Sequence, residues 1–251
     1  MFDPSKYTVQ RAKSLPVILL IDTSGSMGEV IDTTGMVETG ETVFEDGKLW
    51  NVVKGGRTRI MILNECCQKL IADFQAIERN EIKIEVAIFT FGKEVKEHLP
   101  LIPSSAVEWK DMDCEGDTPL GAVLDMVKDR IEKKTIGSSN NYRPEIILIS
   151  DGRPDSGWEN SLSAFVNEGR SAKCGRMAMG IGRDFDPSVL EQFVQGTENP
   201  VFSAEDVNGI KDFFRFVSST VTTRTKSKNP NAMPSKSSSA SGSIDDASSW
   251  F

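Results

Sequence analysis

The sequence predicts an α/β domain built on a doubly wound, mostly parallel central sheet with helices on both faces. Three observations carry this reading. Two unbroken apolar runs, Val17-Ile18-Leu19-Leu20-Ile21 and Ile146-Ile147-Leu148-Ile149, have the length and composition of strands buried on both faces. Strand-like runs then alternate with stretches of helical period along most of the 251 residues, which is the rhythm of a parallel sheet covered on both sides. Both runs also stop at an acidic turn, at Asp22 and at Ser150-Asp151. That places two aspartates on one rim, the carboxyl edge where open α/β sheets collect ligands.

The elements follow in order. Residues 1–14 are polar and read as a lead-in to a domain spanning 15–222. The first strand is 15–22. Residues 27–57 break the rhythm, being rich in Gly, Thr and Glu, and carry Asp46-Gly47 between β-prone residues. This signals a β-hairpin inserted beside the Asp22 turn, a flexible surface loop being the alternative. Residues 57–76 form a helix with Ile60, Leu63, Cys67, Leu70, Ile71 and Phe74 on one stripe. A strand follows at 82–91, stopped by Gly92. Residues 94–99 are short and charged, as suits an edge strand, and they carry the only histidine, His98, read as solvated.

The next helix opens at Pro119, a residue suited to the first turn, and runs to about 134. Leu120, Val123, Leu124, Val127 and Ile131 form its buried side. A strand at 145–150, a helix at 162–171, a strand at 176–182, a helix at 187–194, a strand at 200–203 and an amphipathic helix at 206–221 complete the domain. From Thr222 the composition changes, and residues 235–243 are nearly all Ser with Ala, Gly and Lys, so 223–251 is expected to be a disordered tail. Its last residues, 244–251, end in an acidic pair, Asp245-Asp246, and two aromatics, Trp250-Phe251. That pattern fits a short docking peptide.

Composition narrows the function. A net charge of −8 argues against a nucleic-acid partner. The four cysteines, Cys66, Cys67, Cys114 and Cys174, contain no CxxC pair and read as free thiols of a reducing compartment. The N-terminus lacks the apolar core of a signal peptide, and no apolar run approaches the ~20 residues of a membrane helix. The expectation is a soluble cytoplasmic protein.

The candidate metal ligands are Asp22, Ser24 and Ser26 on the first turn, Thr118 before the helix that opens at Pro119, and Asp151 on the second acidic turn. All five offer oxygen, which selects Mg²⁺, Mn²⁺ or Ca²⁺ over softer-ligand metals. Ser24 and Ser26 are two apart, and Gly25 lets the backbone bend between them. Three neutral hydroxyls with waters can fill an octahedron at roughly 2.0–2.1 Å, the aspartates accepting hydrogen bonds from the ligating groups. A dication held by neutral oxygens keeps its charge and favours an anionic sixth ligand, such as a carboxylate of a partner protein. No nucleophile-and-base pair stands nearby, so an enzyme is not expected.

Competing readings are weaker. Asp22, Asp151 and Thr118 could each cap a helix, but three such coincidences on one rim are less economical than one shared ion. A haloacid-dehalogenase-like phosphoryl-transfer enzyme is the alternative function; it wants an aspartate where this chain has Ser24. A dinucleotide-binding domain wants a GxGxxG or a Walker lysine, and neither follows the first strand. Arg153 and Asp155 read as a solvated turn beside Asp151.

Asp-Thr-Ser-Gly-Ser at 22–26, Gly-Asp-Thr-Pro-Leu-Gly at 116–121 and Ile-Ser-Asp-Gly-Arg-Pro-Asp at 149–155 resemble, in that order, the three parts of the metal-ion-dependent adhesion site of von Willebrand factor A domains. The resemblance covers about 15–222. It implies a Rossmann-like fold, with Ser24, Ser26 and Thr118 as metal-contacting hydroxyls and Asp22 and Asp151 as the two acidic positions. Within the family the motifs look most like bacterial stand-alone cytoplasmic members, the tellurite-resistance TerY-like group being the nearest. Such proteins often accompany a PP2C-type phosphatase and a protein kinase in stress or defence modules. The departure from the pattern is the 27–57 insert, because family members usually enter the helix soon after the second serine.

Overall fold

Strand β1 (Ser14–Asp22) is buried along its whole length, as its unbroken apolar run requires. The computed structural model describes residues 13–45, 47–77, 82–137, 141–151, 153–183 and 185–231. After a 3-10 turn at Gly25–Gly28 comes the insert: β2 (Val30–Asp32), β3 (Val37–Glu45), β4 (Lys48–Lys54) and β5 (Arg57–Thr58). Helix α1 (Arg59–Ile77), β6 (Lys83–Phe91), β7 (Val95–Pro103), α2 (Leu120–Glu132) and β8 (Glu145–Ser150) follow. The chain continues through α3 (Trp158–Asn167), β9 (Gly175–Ile181), α4 (Pro187–Val194), β10 (Val201–Ala204) and α5 (Val207–Lys226).

The main sheet has the order β10-β9-β8-β1-β6-β7. All neighbours are parallel except β7, which pairs antiparallel with β6 at one edge. Alternate residues of β1 serve opposite layers, because successive strand side chains point to opposite faces. Leu15, Val17, Leu19 and Ile21 pack in one core with residues of α1 and α5, while Ile18 and Leu20 pack in the other with residues of α2, α3 and α4. The doubly wound architecture is therefore the one the alternating runs predict. The chain leaves β1 towards β6 on one side and later returns to β8 on the other, so the carboxyl end of β1 is the crevice where such sheets bind ligands.

The insert is a β-hairpin standing on a neck. Strands β3 and β4 pair antiparallel, with Val43 opposite Trp50, Phe44 opposite Leu49 and Glu45 opposite Lys48. Asp46, half of the expected turn, lies outside the described residues. The neck is the β2–β5 pair, locked by the Arg57 guanidinium on Asp32 Oδ2 at 2.7 Å. This pairing explains why α1 begins at Arg59 and not at 57: Arg57 and Thr58 are taken by a strand.

Several other boundaries move for local reasons. Pro119 sits just outside α2, which begins at Leu120. Helix α3 starts at Trp158, four positions before the predicted 162, behind a left-handed Gly157 with φ 92°. It stops at Asn167, and 171–173 form a separate 3-10 turn. Strand β7 runs on to Pro103. Asp206 caps α5 by accepting from Gly209 N at 2.9 Å, and the helix continues to Lys226, into the stretch that composition assigned to the tail. The cause is Arg224, buried with an ion pair to Glu145 Oε1 at 2.5 Å and hydrogen bonds to Pro230 O and Arg143 O. The lead-in 1–12 and residues 232–251, including the docking-like end, lie outside the described residues.

Candidate metal centre

Three loops zip together at the carboxyl end of β1. Thr23 N donates to Phe91 O at 2.8 Å, Glu115 N to Thr23 O at 2.8 Å, and Gly25 N to Gly116 O at 2.9 Å. The close approach needs glycine at two points. A Cβ on Gly92 would lie 2.4 Å from Thr23 O, and Gly116 has φ +89° with the Lys93 backbone 2.5 Å from where its Cβ would be. The turn of β1, the end of β6 and the loop before α2 are thus held as one platform.

The five predicted site residues meet on this platform. Asp22 is fully buried; its Oδ1 accepts from Ser24 N at 2.9 Å and its Oδ2 from Ser150 Oγ at 2.5 Å. Ser24 Oγ and Ser26 Oγ are 3.0 Å apart, and Ser26 Oγ donates to Asp151 Oδ1 at 2.8 Å. Ser26, Thr118 and Asp151 then line one open cleft of ≈460 Å³. The N-cap positions of the 3-10 turn and α2 fall on Ser24 and Pro119 and not on Asp22 or Thr118, although Asp22 still accepts from Ser24 N at the head of the first turn. Burial pushes the Asp22 carboxyl up to about 6, against the bonds from Ser150 and Ser24.

The sequence reading missed two members of the cleft, Arg59 and Glu29. Arg59 Nη1 sits 2.5 Å from Asp151 Oδ2 and 3.3 Å from Ser26 O, and Nη2 is 2.8 Å from Glu29 Oε2. No local signal pointed to them: with the helix expected from 57, Arg57 and not Arg59 stands at its start, and Glu29 lies within the insert. Asp155 also differs from the solvated turn expected of it. Its Oδ1 accepts from Thr118 N at 3.2 Å and its N donates to Thr118 O at 3.0 Å, so it clamps the Thr118 loop. Arg153 lines the cleft from an exposed position.

The donor set fits a hard dication. Hydroxyls of Ser24 and Ser26 stand side by side, Thr118 faces the same cleft, and of the two buried carboxylates Asp151 meets the Arg59 guanidinium while Asp22 is held by hydrogen bonds from Ser24 N and Ser150 Oγ. A second positive charge is what that imbalance favours. Among the described residues no three His, Cys, Asp or Glu side chains cluster as metal ligands, so an ion here would lean on hydroxyls and waters.

A doubly wound sheet whose first strand ends in this oxygen-lined rim defines the class of the molecule. The chain belongs to the von Willebrand factor type A domain family, whose model matches residues 17–216. Domains of this family are typically protein-interaction or adhesion modules. Comparison with curated proteins finds no match. Among solved structures, a von Willebrand factor type A protein from Catenulispora acidiphila is 16% identical with a TM-score of 0.53, over 83% of this chain and 42% of that one. Manganese-loaded Plasmodium vivax TRAP protein is 17% identical with a TM-score of 0.51, over 80% and 72%. The PilB minor pilin from Streptococcus sanguinis is 16% identical with a TM-score of 0.54, over 86% and 63%. The chain thus spans less than half the length of the first of these, and at such identities the likeness shows the fold. No helix among the described residues is long and apolar enough to cross a membrane.

Proposed function

We propose that this protein is a divalent-metal-dependent interaction module that binds a carboxylate of a partner protein at the Asp22–Ser24–Ser26–Thr118–Asp151 site. The observation that carries this reading is the convergence of Ser26, Thr118 and Asp151 on one open cleft, with the Ser24 hydroxyl beside Ser26 and the buried Asp22 carboxylate holding the Ser24 backbone. Ser24, Ser26 and Thr118 would contact Mg²⁺, or Mn²⁺ or Ca²⁺ in its place. Asp22 and Asp151 would orient the hydroxyls and bound waters through hydrogen bonds, as Asp151 already does for Ser26. The ion supplies a positive charge that neutral ligands leave unquenched. The manganese in the TRAP structure belongs to that protein, and it supports a divalent ion on this fold.

The hairpin supplies the second half of the surface. Its root, at Glu29 and Arg59, is part of the cleft wall. Val37, Val43, Phe44, Leu49, Trp50 and Val53 are exposed on β3 and β4. Large apolar side chains gathered on one exposed arm mark a protein-contact surface, and Trp and Phe are favoured anchors there. The partner would therefore offer a carboxylate to the ion and an apolar patch to the arm. The resemblance of its motifs to TerY-like members supports a role as a non-enzymatic component of a bacterial cytoplasmic stress or defence complex with a protein kinase and a PP2C-type phosphatase.

Immobilised protein incubated with lysate of the source cell in Mg²⁺, and again in EDTA, tests this. Proteins retained in Mg²⁺ should be lost in EDTA and with Ser24→Ala or Asp151→Ala. A partner held equally well by all four preparations contradicts the metal-bridged reading.

A further inference from the structure

We propose that Arg59 is a built-in competitor for the divalent cation, an internal positive charge that neutralises Asp151 when the metal is absent and must leave it when the metal binds. The inference rests on the metal reading above and names a residue that controls occupancy of the same site.

Four observations place Arg59 in this role. Its Nη1 lies on Asp151 Oδ2, while Ser26 Oγ holds the other oxygen of the same carboxylate. Asp151 therefore has both oxygens engaged, one by a site hydroxyl and one by a full cation. The Asp151 side chain is fully buried and that of Arg59 is 16% exposed, so solvent screens their attraction less than it would at the surface. Arg59 Nε is buried with no hydrogen-bond partner among the described residues. The guanidinium thus gives up one donor to stay where it is, which marks a position chosen for charge and not for satisfied hydrogen bonding. Finally, the far end of the guanidinium is held from outside: Nη2 pairs with the exposed Glu29, and Gly182 leaves it room, a Cβ there falling 2.9 Å away.

A dication and a guanidinium beside the same buried carboxylate repel each other strongly in this setting. Metal entry therefore removes Arg59 from Asp151, and Glu29 provides the alternative resting place at the rim. The exchange swaps a monovalent counter-charge built into the chain for a divalent one taken from solution. Affinity for the ion is lowered by the work of moving Arg59, and the buried Asp151 is not left unpaired in either state. Because Glu29 is also joined to Arg59 through the backbone, Arg59 N donating to Glu29 O at 3.0 Å, the movement is a swing of the side chain about a fixed root.

The test is titration of MnCl2 into EDTA-stripped protein, followed by the electron paramagnetic resonance signal of free Mn²⁺, for the wild type, Arg59→Met and Arg59→Lys. Arg59→Met should tighten the dissociation constant by about tenfold or more, and Arg59→Lys, which keeps the charge, should tighten it less. In the wild type, the Arg59 Nε–Hε resonance in a ¹⁵N spectrum should shift as Mg²⁺ is added, a readout that needs no variant. Equal affinity in the wild type and Arg59→Met, or a stationary Arg59 resonance at saturating Mg²⁺, overturns the competitor role and leaves the metal reading intact. No saturable Mn²⁺ site in any of the three proteins overturns the metal reading, and the competitor role with it.

Discussion

Replacing Arg224 by Met should destabilise the domain severely, although Arg224 lies far from the cleft at the end of the last helix. Its side chain is 2% exposed and pairs with Glu145, 1% exposed at the start of β8. Two of its other donors hold backbone carbonyls, Pro230 O at 2.8 Å and Arg143 O at 2.9 Å. Removing the guanidinium leaves a buried carboxylate without its partner and two carbonyls without donors. Breaking such a pair from one side costs about 3–5 kcal/mol. For a domain of this size that is a fall in Tm of about 6–20 °C. The double variant Glu145→Met/Arg224→Met should recover most of the loss, because an apolar pair of similar volume carries no stranded charge.

The same pair predicts a pH dependence. Burial pushes the Glu145 carboxyl upward and the Arg224 guanidinium pulls it back. Without the guanidinium the carboxyl stands higher still. A carboxyl held above its unfolded value takes up its proton more readily in the folded chain, so the penalty is full near neutral pH and lifts as pH falls. Thermal melts by circular dichroism should therefore show the Arg224→Met deficit shrinking from about pH 7.5 to about pH 5. A deficit under about 1 kcal/mol, or a double variant no better than the single one, refutes this reasoning.

Two further outcomes are expected. Phe44→Ser and Trp50→Ser should move folding stability by less than about 0.5 kcal/mol, because both side chains are mostly exposed, while retention of a Mg²⁺-dependent partner falls; a marked drop in Tm would show that the arm packs on the domain. Native protein treated with a thiol-exchange reagent near pH 8 should react first at Cys114, the one thiol of the four that is not buried. Burial pushes Cys66 and Cys174 up to about 12 and Cys67 well above its usual value, so rapid labelling of any of these three would contradict the packing.

Much of the fold was legible because β1 and β8 are buried on both faces and so show unbroken apolar runs that end at the rim. The hairpin was legible for the opposite reason: its turn chemistry is local, in Asp46-Gly47. What escaped was decided by pairing at a distance. Arg57 and Thr58 look helical in sequence, but β2 recruits them into a neck. The end of α5 depends on Arg224 finding Glu145, 79 positions away, and a serine-rich composition cannot show that. The convergence of Asp22, Ser24, Ser26, Thr118 and Asp151 on one rim was readable from motif and spacing. Arg59 and Glu29 were not, because their place in the cleft is created by the insert folding back on the Asp22 turn. Asp155 escaped for a related reason, since its partner, the Thr118 loop, comes from before α2.

The most direct measurement is an anomalous difference map at the manganese edge from crystals grown in MnCl2. One strong peak is expected in contact with Ser24 Oγ, Ser26 Oγ and Thr118 Oγ1, with an open coordination position facing the cleft and the Arg59 guanidinium off Asp151. A map with no peak between those hydroxyls at saturating manganese, or an ion there whose every position is filled by the chain's own carboxylates, would contradict the metal-bridged reading.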